Sequence, residues 1–359
     1  APCSQAALVD ENGSPVYLTP KMDKQEEIYT QAMQYLDDAI ADLQKEDLID
    51  PGAQDLLYQG DAEKWLKLAY GLKARYTMHL LKRSANKDAD MEKVLEYVDN
   101  SFESAEEQAA FDVYDANNIN PLYGFFVARA GLGASESMRS KLAEYNDPRL
   151  SRAFITKQGA SGKEQAPGTA DNAVYAPNGS PEQGTSKYGT SLFMYSISAP
   201  TLLLSYHELK FLEAEALCRL GRDAKSALKD AVVAGLLNAE SSFSVSRKEL
   251  GKDLINPAAS ITEAEAESYF DNTVEAKYTA EPLKTTMTQK YFALWGASGE
   301  ATESYNDVRR MKGLGENFIE LKNPNSFPLR CPYGNSDTTT NAEVKAAYGN
   351  GQYVYSENV

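Results

Sequence analysis

The chain has 359 residues, 42% hydrophobic and 25% charged, with a formal net charge of −16. Such an acidic surface repels phosphate backbones, and Lys and Arg form no basic stripe, so no nucleic-acid partner is expected. No apolar run approaches the ~18 residues that a membrane-crossing helix needs.

The first predicted element is a helix from about Asp23 to Gln44, with Ile28, Ala32, Leu36, Ile40 and Leu43 at helical spacing. Asp23 followed by Glu26 resembles a capping box. A loop around Pro51-Gly52 leads to Gly60-Asp61, and a second helix is predicted from Ala62 to Arg83. Trp65, Leu68, Ala69, Leu72, Tyr76 and Leu80 share one of its faces, and a shorter helix follows near Asp90–Val98. From about Ala110 to Ala199 the texture changes: Gly, Asn, Ser and Pro are frequent, aromatics persist, and only Ser135–Tyr145 reads as a helix. This stretch is expected to be an ordered, loop-rich insertion, the kind of segment that carries function on a rigid scaffold.

Helical order is predicted to return at Pro200 and to run to Leu220, stopping at Gly221. This helix is apolar nearly all round, which predicts a central, buried position. A second helix, Asp223 to about Asn238, makes a tight pair with it, with small residues where the two meet; the pair roughly matches a tetratricopeptide repeat. Further helices are predicted at Ile261–Tyr269, Glu281–Trp295, Ala301–Met311 and Ala342–Tyr348. Period-2 runs are short, as around Phe193–Ile197. The expected class is mainly α, a tetratricopeptide-like helical scaffold with a long loop-rich insertion.

Signatures of catalysis and of cofactors are missing. There is no nucleophile elbow, phosphate loop, zinc-protease helix or calcium loop, and Gly131-Leu132-Gly133 and Gly313-Leu314-Gly315 read as turns. His79 and His207 lie inside separate helical patterns and are expected to pack there. Cys3, Cys218 and Cys331 have no framework spacing, and Cys218 is expected to be a small buried hydrophobe. No metal and no cofactor are expected. Glu213 and Glu215 lie two apart and point to different helix faces. Arg309 and Arg310 follow Asp307, and a buried guanidinium requires a carboxylate, so one of them is expected to dock on the Pro200–Leu220 helix through Glu213 or Glu208.

Four segments resemble the SusD/RagB superfamily, in its SusD-like outer-membrane lipoprotein branch. Lys64-Trp65-Leu66-Lys67-Leu68-Ala69, running on to Leu72 and Arg75, is similar to the family's K-W-x-K-x-A-N-S-L-x-x-R helix, with Tyr70-Gly71 in place of Asn-Ser. Tyr206 to Ala216 resembles Y-x-E-x-x-F-L-x-A-E-A. Thr288-Gln289-Lys290-Tyr291 with Asp307 to Arg310 resembles T-Q-K-W … D-x-R-R, and Phe327 to Tyr333 with Asn341 resembles the closing P-x-R-x-x-Y-P … E … N. Pro15 to Leu43 is similar to the family's lead-in. The resemblance implies one SusD-like domain over residues 1–359, with its scaffold in 1–109 and 200–359 and the insertion at about 110–199. It further implies a non-catalytic protein on the extracellular face of the outer membrane, delivering an oligosaccharide or other small nutrient to a TonB-dependent SusC-like transporter. Ala1 to Ala6 resembles an internal family segment, so an N-terminal part bearing the lipid anchor to the membrane is expected to lie outside this chain.

Sugars present apolar C–H faces ringed by hydroxyls, which flat aromatics and amide or carboxylate groups match. The insertion supplies both, and Tyr123, Tyr175, Asn178, Tyr188 and Tyr195 are the expected ligand-binding residues. Each aromatic has an alternative role, pinning the insertion to the scaffold, and Asn178 an alternative as a turn residue. Trp65 and Trp295 are expected in the core. Two other function classes stay open on sequence: an all-α glycan-processing enzyme, which would need two facing carboxyls across a cleft, and a helical-repeat interaction adaptor.

Overall fold

A computed structural model of the chain describes residues 2–46, 49–129, 132–158, 164–168, 174–179, 187–324, 326–351 and 355. It comprises two compact units, residues 1–39 with 323–359, and residues 40–322. Helix is the main regular structure among the described residues, as expected.

In the smaller unit, α1 (Gln25–Leu43, its last residues belonging to the other unit) follows a short turn in which Val9 pairs with Pro15. Asp23 does not cap α1. It accepts hydrogen bonds from the Cys3 and Ser4 amides and the Ser4 hydroxyl, and those bonds hold its carboxyl down at about 2. Two short helices, α13 (Asn335–Thr340) and α14 (Ala342–Tyr348), close the unit, and the Asn341 amide donates to the Pro20 carbonyl.

The larger unit is a stack of helices: α2 (Ala62–His79), α3 (Lys87–Asp99), α7 (Tyr206–Arg219), α8 (Lys225–Leu250), α11 (Pro282–Ala293) and α12 (Ala301–Leu314). Between them come α4 (Pro121–Arg129), α5 (Glu136–Glu144), α6 (Leu150–Ala153), α9 (Glu263–Tyr269) and α10 (Glu275–Ala280), with a π-helical turn at Phe270–Val274. The all-round apolar character of α7 has a physical reason. Leu209, Leu212 and Ala216 face one core, shared with α2 and α3, while Phe211 and Ala214 face a second, shared with α5, α8 and α11. A helix between two cores has no face left for water.

Small residues let these helices approach. A Cβ on Gly235 would stand 2.9 Å from the Ala293 Cβ, which has no flexible end to move aside. Gly235→Val is therefore expected to cost about 1–3 kcal/mol through overpacking, measured as a lower urea midpoint. An unchanged midpoint would show that α8 and α11 part freely.

Several elements differ from the sequence expectation. Residues 202–204 belong to a strand, not to the first turn of α7. β5 (Thr201–Leu204) pairs antiparallel with β1 (Ala109–Phe111), burying Leu202 and Leu204 and exposing Leu203. Helix α7 starts later because Ser205 accepts from the Glu208 amide at 3.1 Å. Residues 193–197 do not form a strand; Leu192–Tyr195 make a 3₁₀ turn. Instead a small sheet of order β3-β2-β4 is built from β2 (Phe154–Gln158), β3 (Glu164–Pro167) and β4 (Thr190–Ser191). Helix α4 stands where loop is expected: Asn120 accepts from the Leu122 amide at 2.9 Å, and Pro121 occupies the first turn. Helix α8 runs past its expected end to Leu250, because Ser242 and Ser246 are buried against Ser196 and exchange hydrogen bonds with it. Trp65 and Trp295 are half-buried at the core edges, Trp65 with its indole N–H on Asp55 and Trp295 stacked on Phe154.

Candidate functional site

The charged residues of the sequence segments converge inside the larger unit. Arg75 of α2 forms a two-bond pair with Glu208 of α7, at 2.8 and 2.5 Å. Further along α7, Glu215 receives Arg310 of α12 on both oxygens, one of these bonds at 2.8 Å, and also Arg219 at 2.7 Å. Arg310 reaches Asp307 at 2.7 Å, whose other oxygen stands 2.8 Å from the Lys290 ammonium of α11. Arg75, Glu208, Glu215, Lys290, Asp307 and Arg310 are all buried. Burial alone would favour neutral carboxyl groups, but Arg310, Arg219 and Lys290 overcome it and hold the Glu215 carboxyl far below its ordinary range. The expectation that one of the two arginines docks on this helix holds for Arg310. Its partner is Glu215, however, not Glu213 or Glu208; Arg309 is exposed, and Glu213 is engaged by Lys210. These side chains stitch α2, α7, α11 and α12 together and are closed to solvent, so the cluster fastens the scaffold.

The two histidines pack as expected. His79 Nε2 is 2.6 Å from Glu303, and the buried His207 Nε2 is 3.2 Å from Glu300. All three cysteines are free, and Cys218 sits half-buried, 3.7 Å from the Thr286 hydroxyl. Among the described residues no group of three or more His, Cys, Asp or Glu is placed to hold a metal ion. No described helix is long and apolar enough to cross a membrane.

A cleft of about 830 Å³ opens in the larger unit, within the range of small-ligand sites. A depression beside Arg152 and Leu254 offers only about 10 Å³, room for a single water. One wall of the cleft is α5, with Ser137, Ser140, Lys141 and Tyr145 at its end. The facing wall comes from α11, with Lys284, Thr288 and Phe292, and from residues 318–322. Val174, Tyr175, Asn178 and Tyr188 complete it.

Backbone bonds fix this last wall. The Ala134 amide donates to Gly189, the Ala176 amide to Ala134, the Glu136 amide to Ala176 and the Gly189 amide to Val174, all at 2.8–3.0 Å. The Tyr175 ring fits because Gly168 and Gly189 have no Cβ: one at Gly189 would lie 2.6 Å from the ring and 2.7 Å from the Ile155 carbonyl. The Tyr175 hydroxyl donates to the Gly168 carbonyl at 2.8 Å, and burial pushes its pKa up to about 12. The ring meets Phe154 edge-on, with Arg139 over its face. Asn178 accepts from the Ser135 hydroxyl at 2.7 Å. Tyr145 packs edge-on against Phe292, and burial raises its hydroxyl pKa.

Three of the five expected ligand residues, Tyr175, Asn178 and Tyr188, thus line one cleft. Tyr175 and Tyr188 are 4% and 8% exposed, so only a small part of either ring is open to it. Tyr123 and Tyr195 are not among its lining residues. Tyr195 packs edge-on against Phe126 of α4, and the hydroxyl of Tyr123, itself in α4, donates to Glu249 of α8 at 3.2 Å. Sequence reading missed Lys141, Tyr145, Thr288 and the strip at 318–322. The first two sit inside the predicted Ser135–Tyr145 helix, but no local pattern marks the side of it that faces a cavity.

Residues 1–333 match the SusD-like family, described as starch-binding and associating with the outer membrane. No curated protein matches the chain. Among solved structures, a SusD/RagB family protein from Bacteroides thetaiotaomicron VPI-5482 is 65% identical, with a TM-score of 0.93, over all of this chain and 75% of that one. A SusD homolog from Bacteroides fragilis NCTC 9343 is 20% identical, with a TM-score of 0.70, over 94% of this chain and 75% of that one. A chitin-binding protein is 21% identical, with a TM-score of 0.68, over 97% of this chain and 73% of that one. Helical scaffold, internal ion pairs at the motif positions and the match over residues 1–333 agree: the chain belongs to the SusD-like family.

Proposed function

We propose that this protein captures a glycan at the bacterial cell surface without breaking a bond in it, and passes it to a TonB-dependent SusC-like transporter in the outer membrane. The family description, starch-binding and outer-membrane associated, supports the setting. The observation that carries the reading is the cleft. It sets the narrow exposed parts of Tyr145, Tyr175 and Tyr188 beside hydroxyl and amide groups at Ser137, Ser140 and Asn178, so polar contacts would dominate recognition of a sugar there. Capture without chemistry is supported by the state of two of the three acids that line the cleft. Glu136 is engaged by Arg139 and Ser140, and Lys322 holds Glu320 below its ordinary pKa, the reverse of what a proton-donating acid requires.

Hydrogen bonds of about 1 kcal/mol each, with edge contacts to the rings added, correspond to roughly micromolar-to-millimolar affinity. Ser140 lies on the exposed side of α5 at the cleft, so Ser140→Trp fills the space without touching the core. In calorimetric titrations with starch-derived oligosaccharides this variant is expected to bind at least about ten-fold more weakly than the parent. Equal affinity in the two proteins would remove the cleft as the site.

A further inference from the structure

Three lysines line the cleft, Lys141, Lys284 and Lys322, and their surroundings differ. Lys284 donates to Glu281 at 2.8 Å, and Lys322 donates to Glu320. Lys141 is half-buried on α5 and its ammonium donates to the Ser137 hydroxyl at 2.8 Å. Among the described residues no carboxylate stands within ion-pair distance of it. Glu136, on the same helix, is taken up by Arg139 and Ser140, and Glu320 by Lys322. Glu144 is exposed at the end of α5 and makes no ion pair with Lys141. Burial, with the nearby Lys322 charge, lowers the Lys141 pKa, and the attraction of Glu320 and Glu144 only partly opposes this. A half-buried cation whose hydrogen bond goes to a hydroxyl, with Glu320 and Glu144 beyond ion-pair distance, is a place for an anion to bind, because a carboxylate in direct contact would recover the interaction lost with water.

We infer that the cleft takes an oligosaccharide carrying a carboxylate, a uronate-type sugar, with the Lys141 ammonium as the partner of that group. The inference rests on the reading of the cleft as a glycan site, and it narrows the ligand class. The neighbouring groups suit the rest of such a sugar: Ser137 and Ser140 can exchange hydrogen bonds with its hydroxyls, and the exposed edge of Tyr145 meets its apolar side. Lys141 is the group that separates an acidic sugar from a neutral one, since a neutral ring leaves its charge without a partner.

The test is a calorimetric titration of the full chain at low ionic strength with trigalacturonate, maltotriose and chitotriose. Trigalacturonate is expected to bind about ten-fold or more tighter than either neutral trisaccharide, and its advantage is expected to shrink as salt is added. Lys141→Met is expected to abolish that advantage and Lys141→Arg to retain most of it. The inference is overturned if maltotriose or chitotriose binds as tightly as trigalacturonate, or if the preference survives in Lys141→Met. Binding of all three without preference overturns this inference and leaves the glycan reading standing; binding of none removes both.

Discussion

Arg310→Met is expected to lower the unfolding free energy by about 3–5 kcal/mol, because it takes one of two cationic partners from each of two buried carboxylates, whereas Arg309→Met next door is expected to stay within about 0.5 kcal/mol. The contrast comes from position alone. Arg310 is buried and supplies bonds to Glu215 and Asp307 together; Arg309 is exposed. Removing the guanidinium leaves Glu215 with Arg219 and Asp307 with Lys290, so α7 and α12 lose the side chain that joins them here. Urea unfolding followed by circular dichroism separates the two variants. Equal midpoints for them would mean that the cluster contributes nothing to holding the scaffold.

Acid should release the same fastening. Glu303 of α12 is largely buried; burial by itself raises its pKa, but the hydrogen bond and charge of His79, with Arg75 and Lys290 behind, bring it from the ordinary 4.5 down to about 2. Glu215 is lowered as well, by Arg310 and Arg219. A carboxyl whose folded pKa lies below its unfolded value binds protons more weakly when folded. Its contribution is therefore complete above about pH 5 and is lost as pH falls towards about 2. Urea midpoints are expected to be level between about pH 6 and 8 on this account and to fall steeply from about pH 5 downwards, with a shallower fall in Glu303→Gln. A protein as stable near pH 3 as at neutral pH would contradict it.

Much of the scaffold was legible because its signals are local. The periodicity of α2, the continuous apolar face of α7 and the Ser135 cap of α5 each specify an element from a few adjacent residues. The start of α7 was also written in the sequence, as Ser205 three residues before Glu208, but the leucines ahead of it matched a helix as well as a strand. Pairing with β1, far earlier in the chain, decided the matter. The sequence predicts an end to α8 at about Asn238, just before a serine-rich stretch, and burial of Ser242 and Ser246 against Ser196 explains why it continues. The site was legible by halves. Tyr175, Asn178 and Tyr188 could be chosen for their chemistry, yet the wall opposite them comes from α11 and from residues 318–322, distant in sequence. The choice of Glu213 or Glu208 for the arginine failed for a related reason: which face of α7 meets α12 is set by packing, and that face carries Glu215.

Equilibrium dialysis of the full chain against mixed starch-derived and uronate oligosaccharides, with the sugars weighed by mass spectrometry after long incubation, tests capture without cleavage most directly. The protein compartment is expected to become enriched in oligosaccharides of unaltered mass, and Ser140→Trp to lose that enrichment. Shortened products, or no enrichment of any sugar over the protein-free compartment, would contradict it.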